Sequence, residues 1–255
     1  MWNDLQTGAY EGMIAETTTL RGHNGDTIHA YFARPLGAGP FPGIVQVHHA
    51  PGWDEWTREF SRRFTQHGYS VICPDLYCRY AHGTPDDATA AARAAGGAPD
   101  NQVVGDLEAG LNFLKSLPTS NGKIGIIGPC SGGRHSYLTA ARVPGFAALV
   151  DLWGGSVVMA ADQLTPARPV SPLDYTKDLS CPILALFGDD DQNPNPAMAA
   201  QIEEELKKQG KEYEIHHYAG AGHGFFYYDR PAYRQEQAMD GWAKVFDFFH
   251  RHLQS

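Results

Sequence analysis

At 255 residues the chain is long enough for one large domain to bury its own core without disulfide or metal staples. With 42% apolar and 19% charged residues and no low-complexity tract, disorder and fibrous assembly are excluded, and 20 basic against 29 acidic residues leave a net charge of −9 with no basic stripe to attract nucleic acid. No apolar run approaches the ~20 residues of a membrane span, and the start Met1-Trp2-Asn3-Asp4 lacks the basic and apolar parts of a leader, so a cytoplasmic protein without a membrane role is expected.

The chain opens with two extended stretches, 13–20 and 27–34, around Gly22-His23-Asn24-Gly25-Asp26, a turn composition that predicts an antiparallel hairpin. A short apolar run at 43–47 follows, then a helix over about 55–67, a run at 69–73 and a helix over about 101–117. The next apolar strand, 123–127, enters Gly128 and leads into a helix through Ala141. Apolar runs at 147–152, 182–187 and 213–217 then alternate with a helix at 197–209, and a last helix covers about 233–252. Short buried strands alternating with amphipathic helices predict an α/β fold: a mostly parallel sheet with helices on both faces and an antiparallel hairpin at its N-terminal edge. Two segments, 78–99 and 154–180, resist the alternation and read as long surface connections or covers. No repeat or linker divides the chain, so residues 1–255 are expected to form a single domain. Cys73, Cys78, Cys130 and Cys181 are spread without metal-type spacing and read as reduced thiols.

Gly128-Pro129-Cys130-Ser131-Gly132-Gly133 stands where an apolar strand ends and a helix begins. That is the setting of a nucleophile elbow, with Cys in place of the usual Ser. A sharp strand-to-helix turn lifts the nucleophile above the sheet and needs glycines two positions to either side so that strand and helix can approach. A serine version centred on Ser131 fails, because Pro129 would occupy a glycine slot. An elbow predicts an acid after a later strand and a histidine after the last one. The run at 182–187 enters Gly188-Asp189-Asp190-Asp191, and the run at 213–217 enters a Gly-rich loop around His223. Three consecutive aspartates leave the acid open from position alone.

With these motifs in order, the chain resembles the dienelactone hydrolase family of the α/β-hydrolase fold across nearly its whole length. That family's Gly-x-Cys-x-Gly-Gly elbow, Gly-x-x-Asp acid and Gly-His loop match Cys130, Asp191 and His223, with Asp189 the rival acid. The resemblance implies acyl transfer without a cofactor. The Cys130 thiolate attacks an ester or lactone carbonyl, His223 moves the proton, and Asp191 orients its ring. Backbone N–H groups of Ser131 and, in the loop after 43–47, Ala50 would hold the oxyanion. The family's Leu-Tyr-x-Arg resembles Leu76-Tyr77-Cys78-Arg79, which assigns Arg79 to a substrate carboxylate. Two departures stand out. His49 occupies the place of a glutamate beside the thiol, where it could favour the thiolate, bind substrate or only fill the loop. Tyr227 occupies the place of a second arginine, with Arg230 out of register.

Trp53, Tyr77, Phe225 and Tyr227 would line the substrate site alongside His49 and Arg79. The pairs His48-His49 and His216-His217 offer at most one ligand each to any one site, because neighbours in a strand point to opposite faces, so no metal is expected. The sequence thus points to a hydrolase of small esters or lactones. A broad carboxylesterase acting on aryl or alkyl esters is the nearest alternative. A catalytically idle scaffold with a redox-sensing or ligand-binding thiol at Cys130 is the alternative of another class.

Overall fold

The expected hairpin is β1 (Met13–Arg21) with β2 (Thr27–Pro35), antiparallel, with Leu20 opposite Ile28. Its turn passes through Asn24 and Gly25 at φ 55° and 81°, the left-handed region that Asn and Gly tolerate best. The computed structural model describes residues 12–254; residues 1–11 and 255, with the Met1–Asp4 start read above, lie outside the described residues. The sheet continues with β3 (Phe41–Gln46), β4 (Ser70–Pro74), β5 (Ser120–Pro129), β6 (Ala148–Leu152), β7 (Ile183–Gly188) and β8 (Tyr213–Tyr218). Its eight strands lie in the order β1-β2-β4-β3-β5-β6-β7-β8; β2 pairs antiparallel with β4, and every pair beyond is parallel.

Successive side chains of the parallel strands go to opposite faces, and both faces are dry. Ile44, Val71, Ile127, Val150 and Leu184 pack with α1 (Glu55–Gln66) and α6 (Gln235–Phe249), through Phe60, Phe64, Trp242 and Phe246. Their neighbours Val45, Ile72, Ile126, Leu149 and Ile183 pack on the other side with α3 (Asp100–Ser116), α4 (Ser131–Arg142) and α5 (Pro196–Lys208). The apolar strands therefore had to be nearly continuous runs, as the sequence shows.

The structure corrects the 78–99 connection, which carries a helix, α2 (Pro85–Ala94). Thr84 caps it by accepting the Asp87 N–H at 3.2 Å while Asp87 accepts the Thr84 N–H at 2.9 Å, and Pro85 takes the first helical position. Segment 154–180 holds two short 3-10 stretches, Ala161–Gln163 and Pro172–Asp178. All four cysteines are free thiols.

Candidate active site

Cys130 joins β5, in the middle of the sheet, to α4. Its φ and ψ of 56° and −124° lie in a region that costs a side chain roughly 1–3 kcal/mol, tolerated only where the surroundings enforce it. The surroundings are backbone. A β-carbon on Gly128 would stand 2.3 Å from the Gly132 carbonyl, and one on Gly132 would stand 2.5 Å from the Val47 oxygen. The Cys130 N–H is tied to the Leu152 oxygen at 3.0 Å, and the Cys130 oxygen accepts from Gly133 at 3.0 Å as the first turn of α4 closes. The thiol is thereby held at the carboxyl ends of the parallel strands with the N-terminus of α4 behind it, a setting that favours an anion.

His223 and Asp191 approach from the ends of β8 and β7. His223 Nδ1 and Asp191 Oδ2 are 2.8 Å apart, and Asp191 Oδ1 accepts the Asn193 N–H at 2.9 Å, which fixes the carboxylate. Geometry separates the three aspartates. Asp191 is buried; Asp189 and Asp190 are exposed, and Asp189 sits beside His217 Nδ1 at 3.5 Å. His223 and the backbone N–H groups of Ser131 and Ala50 stand near enough to the Cys130 sulfur to favour its thiolate. Burial pushes the Cys130 pKa up, but the bond and charge of His223 and the two N–H groups outweigh it, so the thiol lies below its ordinary value. Burial likewise pushes His223 down, yet the bonds to Asp191 and Cys130 win and raise it to about 10. A thiolate–imidazolium pair so favoured can attack a carbonyl and then protonate a leaving group.

The profile of the dienelactone hydrolase family matches residues 28–253. The chain belongs to that family. A relative from Methylorubrum extorquens, provisionally named a carboxymethylenebutenolidase, is 35% identical over 246 residues, covering 94% of this chain and 82% of its own. An Escherichia coli K12 relative with the same provisional name is 33% identical over 248 residues, covering 94% and 88%. A crystal structure from Klebsiella pneumoniae, assigned provisionally as a dienelactone hydrolase, superposes with a TM-score of 0.84 at 30% identity over 94% of this chain and all of its own. The protein is therefore a hydrolase of the α/β-hydrolase fold, and the mostly parallel sheet with its antiparallel N-terminal pair is that family's architecture.

Of the residues expected to bind substrate, Arg79 is not among those bordering the cavity at Cys130. Its Nη1 and Nη2 lie 2.7 and 3.0 Å from the two oxygens of the fully buried Asp106, and its Nε lies 2.9 Å from Asp26. Asp106 also accepts the His23 N–H at 2.8 Å, so Arg79 ties the hairpin turn to α3 and has no edge left for a substrate. Arg79→Met is expected to lower stability by about 3 kcal/mol in urea unfolding, because it strands a buried carboxylate. An unchanged unfolding midpoint, with KM raised for carboxylate-bearing esters alone, would restore the substrate role.

His49 is fully buried, and both its ring nitrogens are taken: Nδ1 is 2.9 Å from the Tyr227 hydroxyl and Nε2 is 2.8 Å from Asp54 Oδ2. Burial raises the Asp54 carboxyl, but the bond to His49 and its charge hold it down at about 2. His49 therefore donates from Nε2 to an anion and organises the loop, and the groups that lower the Cys130 thiol are His223, Ser131 and Ala50. Tyr227 is buried on the other side of His49, with the Arg230 guanidinium 4.9 Å above its ring and 3.6 Å from Asp54. Phe225 is fully buried between Trp153 and Tyr218 as ordinary core. Trp53 and Tyr77 line a second cavity of about 360 Å³ with His29 and Cys78, although Tyr77 stands near enough to Cys130 for the thiolate to help burial raise its hydroxyl.

The cavity at the nucleophile, about 340 Å³, is bounded by Cys130, His223, Asn193, Ser156, Arg134 and Arg168. The last four were missed in the sequence. Asn193 and Ser156 could have been suspected from the acid loop and the 154–180 connection, but no motif marks either arginine.

Proposed function

We propose that the protein hydrolyses a small ester or lactone by acyl transfer through Cys130, His223 and Asp191. The Cys130 thiolate adds to the carbonyl carbon, and the carbonyl oxygen becomes an oxyanion between the Ser131 and Ala50 N–H groups. Collapse expels the alkoxide, which takes the proton from the His223 imidazolium. The neutral His223 then takes a proton from water as it attacks the thioester, releasing the acid and restoring the thiolate. Asp191 keeps the Nδ1 proton in place throughout.

The observation that carries this reading is the convergence on one strained residue. The imidazole and both N–H groups stand near enough to Cys130 to favour its thiolate, and the imidazole is backed by the only buried carboxylate of the three candidates. Hydrolysis of p-nitrophenyl acetate and simple lactones tests it. The ratio kcat/KM should rise with pH to a midpoint below the roughly 8.5 of a free thiol, because the thiolate forms early, and should fall again only near the His223 value of about 10, where the imidazolium is lost. Absence of turnover on every ester and lactone, with Cys130 still alkylated readily, would favour the thiol-bearing scaffold instead.

A further inference from the structure

With Arg79 spent on Asp106 and the Tyr227 hydroxyl bonded to His49, neither position that the resemblance offered for a substrate anion carries a free cation. Another guanidinium borders the nucleophile's cavity. Arg168 borders the same cavity as Cys130 and His223, and its Nε is buried without a hydrogen-bond partner. Among the described residues none accepts from its guanidinium nitrogens and no carboxylate pairs with it.

Its position is built rather than incidental. Arg168 and Thr165 close a turn on each other, N–H to carbonyl at 3.0 Å in both directions, and the Ala167 oxygen accepts the Asp100 N–H at 2.8 Å at the start of α3. The side chain lies against the other long connection, where a β-carbon on Gly97 would stand 2.9 Å from Arg168 Nη2. Segments 78–99 and 154–180, which broke the strand–helix alternation, thus meet at this guanidinium.

The remaining charges of the cavity are matched. Arg134 is locked to Asp100 through two bonds of 2.6 and 3.1 Å, and His223 is paired with Asp191 and with the thiol. Arg168 is left as the uncompensated cation. A guanidinium keeps its charge under all working conditions, and its planar edge fits a carboxylate through two parallel hydrogen bonds. Resting on the hydrolase reading of Cys130, we propose that Arg168 is the specificity-determining residue of this site and holds the carboxylate of a short anionic ester or lactone. The cavity of about 340 Å³ has room for that carboxylate together with the scissile carbonyl.

Two probe pairs test this on the full chain. Iodoacetate and iodoacetamide alkylate Cys130 by the same displacement of iodide and differ in charge, so their rate ratio, followed on the Cys130 peptide by mass spectrometry, reads the cation without needing ester turnover. Arg168→Met is expected to lower that ratio about fivefold, as one charge across a part-solvated cavity should, and Arg168→Lys to keep most of it. The ratio of kcat/KM for mono-p-nitrophenyl succinate over p-nitrophenyl acetate should fall in the same order. An alkylation ratio that Arg168→Met leaves unmoved overturns the proposal. If that ratio falls while no ester is cleaved by the wild type, the anion site stands and the hydrolase reading is what has failed.

Discussion

Cys130→Ala should leave less than about one-thousandth of wild-type turnover on p-nitrophenyl acetate, the scale on which removal of a covalent nucleophile acts. The reason is positional. Of the four cysteines, Cys73 and Cys181 are buried, Cys78 borders the second cavity, and only Cys130 stands at a strand-to-helix turn with two N–H groups and an imidazole near enough to favour its thiolate. Ser131 cannot substitute: it follows the elbow and its hydroxyl is buried without a partner. Cys130→Ser should retain a trace, since a hydroxyl depends wholly on His223 to remove its proton, whereas a thiol ionises far more readily beside an imidazolium. Initial rates on purified variants check this. Residual activity of the Ala variant above about a tenth of wild type would place the chemistry elsewhere.

Asp191→Asn should cost about 10⁴-fold in kcat while the fold persists, because the amide offers His223 Nδ1 a donor as readily as an acceptor and frees the ring to take the wrong tautomer. The buried carboxylate is already held by Asn193, so the replacement fits the same space. Asp189→Asn and Asp190→Asn, at exposed positions, should stay within a few-fold of wild type. A comparison of kcat across the three variants separates them, and a crippled Asp189→Asn enzyme would show that the acid lies two residues earlier.

Much of this was legible in the chain because the constraints that make it are local. An elbow forces glycines at 128 and 132, and buried strands force apolar runs, so the order of strand, turn and helix could be read with its functional loops. The capping box of Thr84 and Asp87 was equally local, and its helix was missed only because an Ala-rich stretch shows no apolar stripe to mark period 3.6. What the sequence could not show is how side chains spend their hydrogen bonds. Arg79 keeps the motif Leu-Tyr-x-Arg yet is drawn off by Asp106, a residue 27 positions away on α3. His49 stands in the right slot of the loop yet is committed to Asp54 and Tyr227. Arg168 lies in a connection without pattern and borders the cavity only because its turn is fastened to Asp100. Each of these depends on partners distant in sequence, which no spacing rule reveals.

The central claim, that ester cleavage runs through the Cys130 thiolate, is tested most directly by partial alkylation. Aliquots treated with iodoacetamide for increasing times are split, one half assayed on p-nitrophenyl acetate and the other digested to measure modification of each cysteine. The account predicts that activity falls in direct proportion to the modified fraction of Cys130, ahead of Cys73, Cys78 and Cys181, and that the alkylation rate reaches half its maximum at a pH below the roughly 8.5 of a free cysteine. Ester hydrolysis that persists after Cys130 is fully alkylated would contradict it.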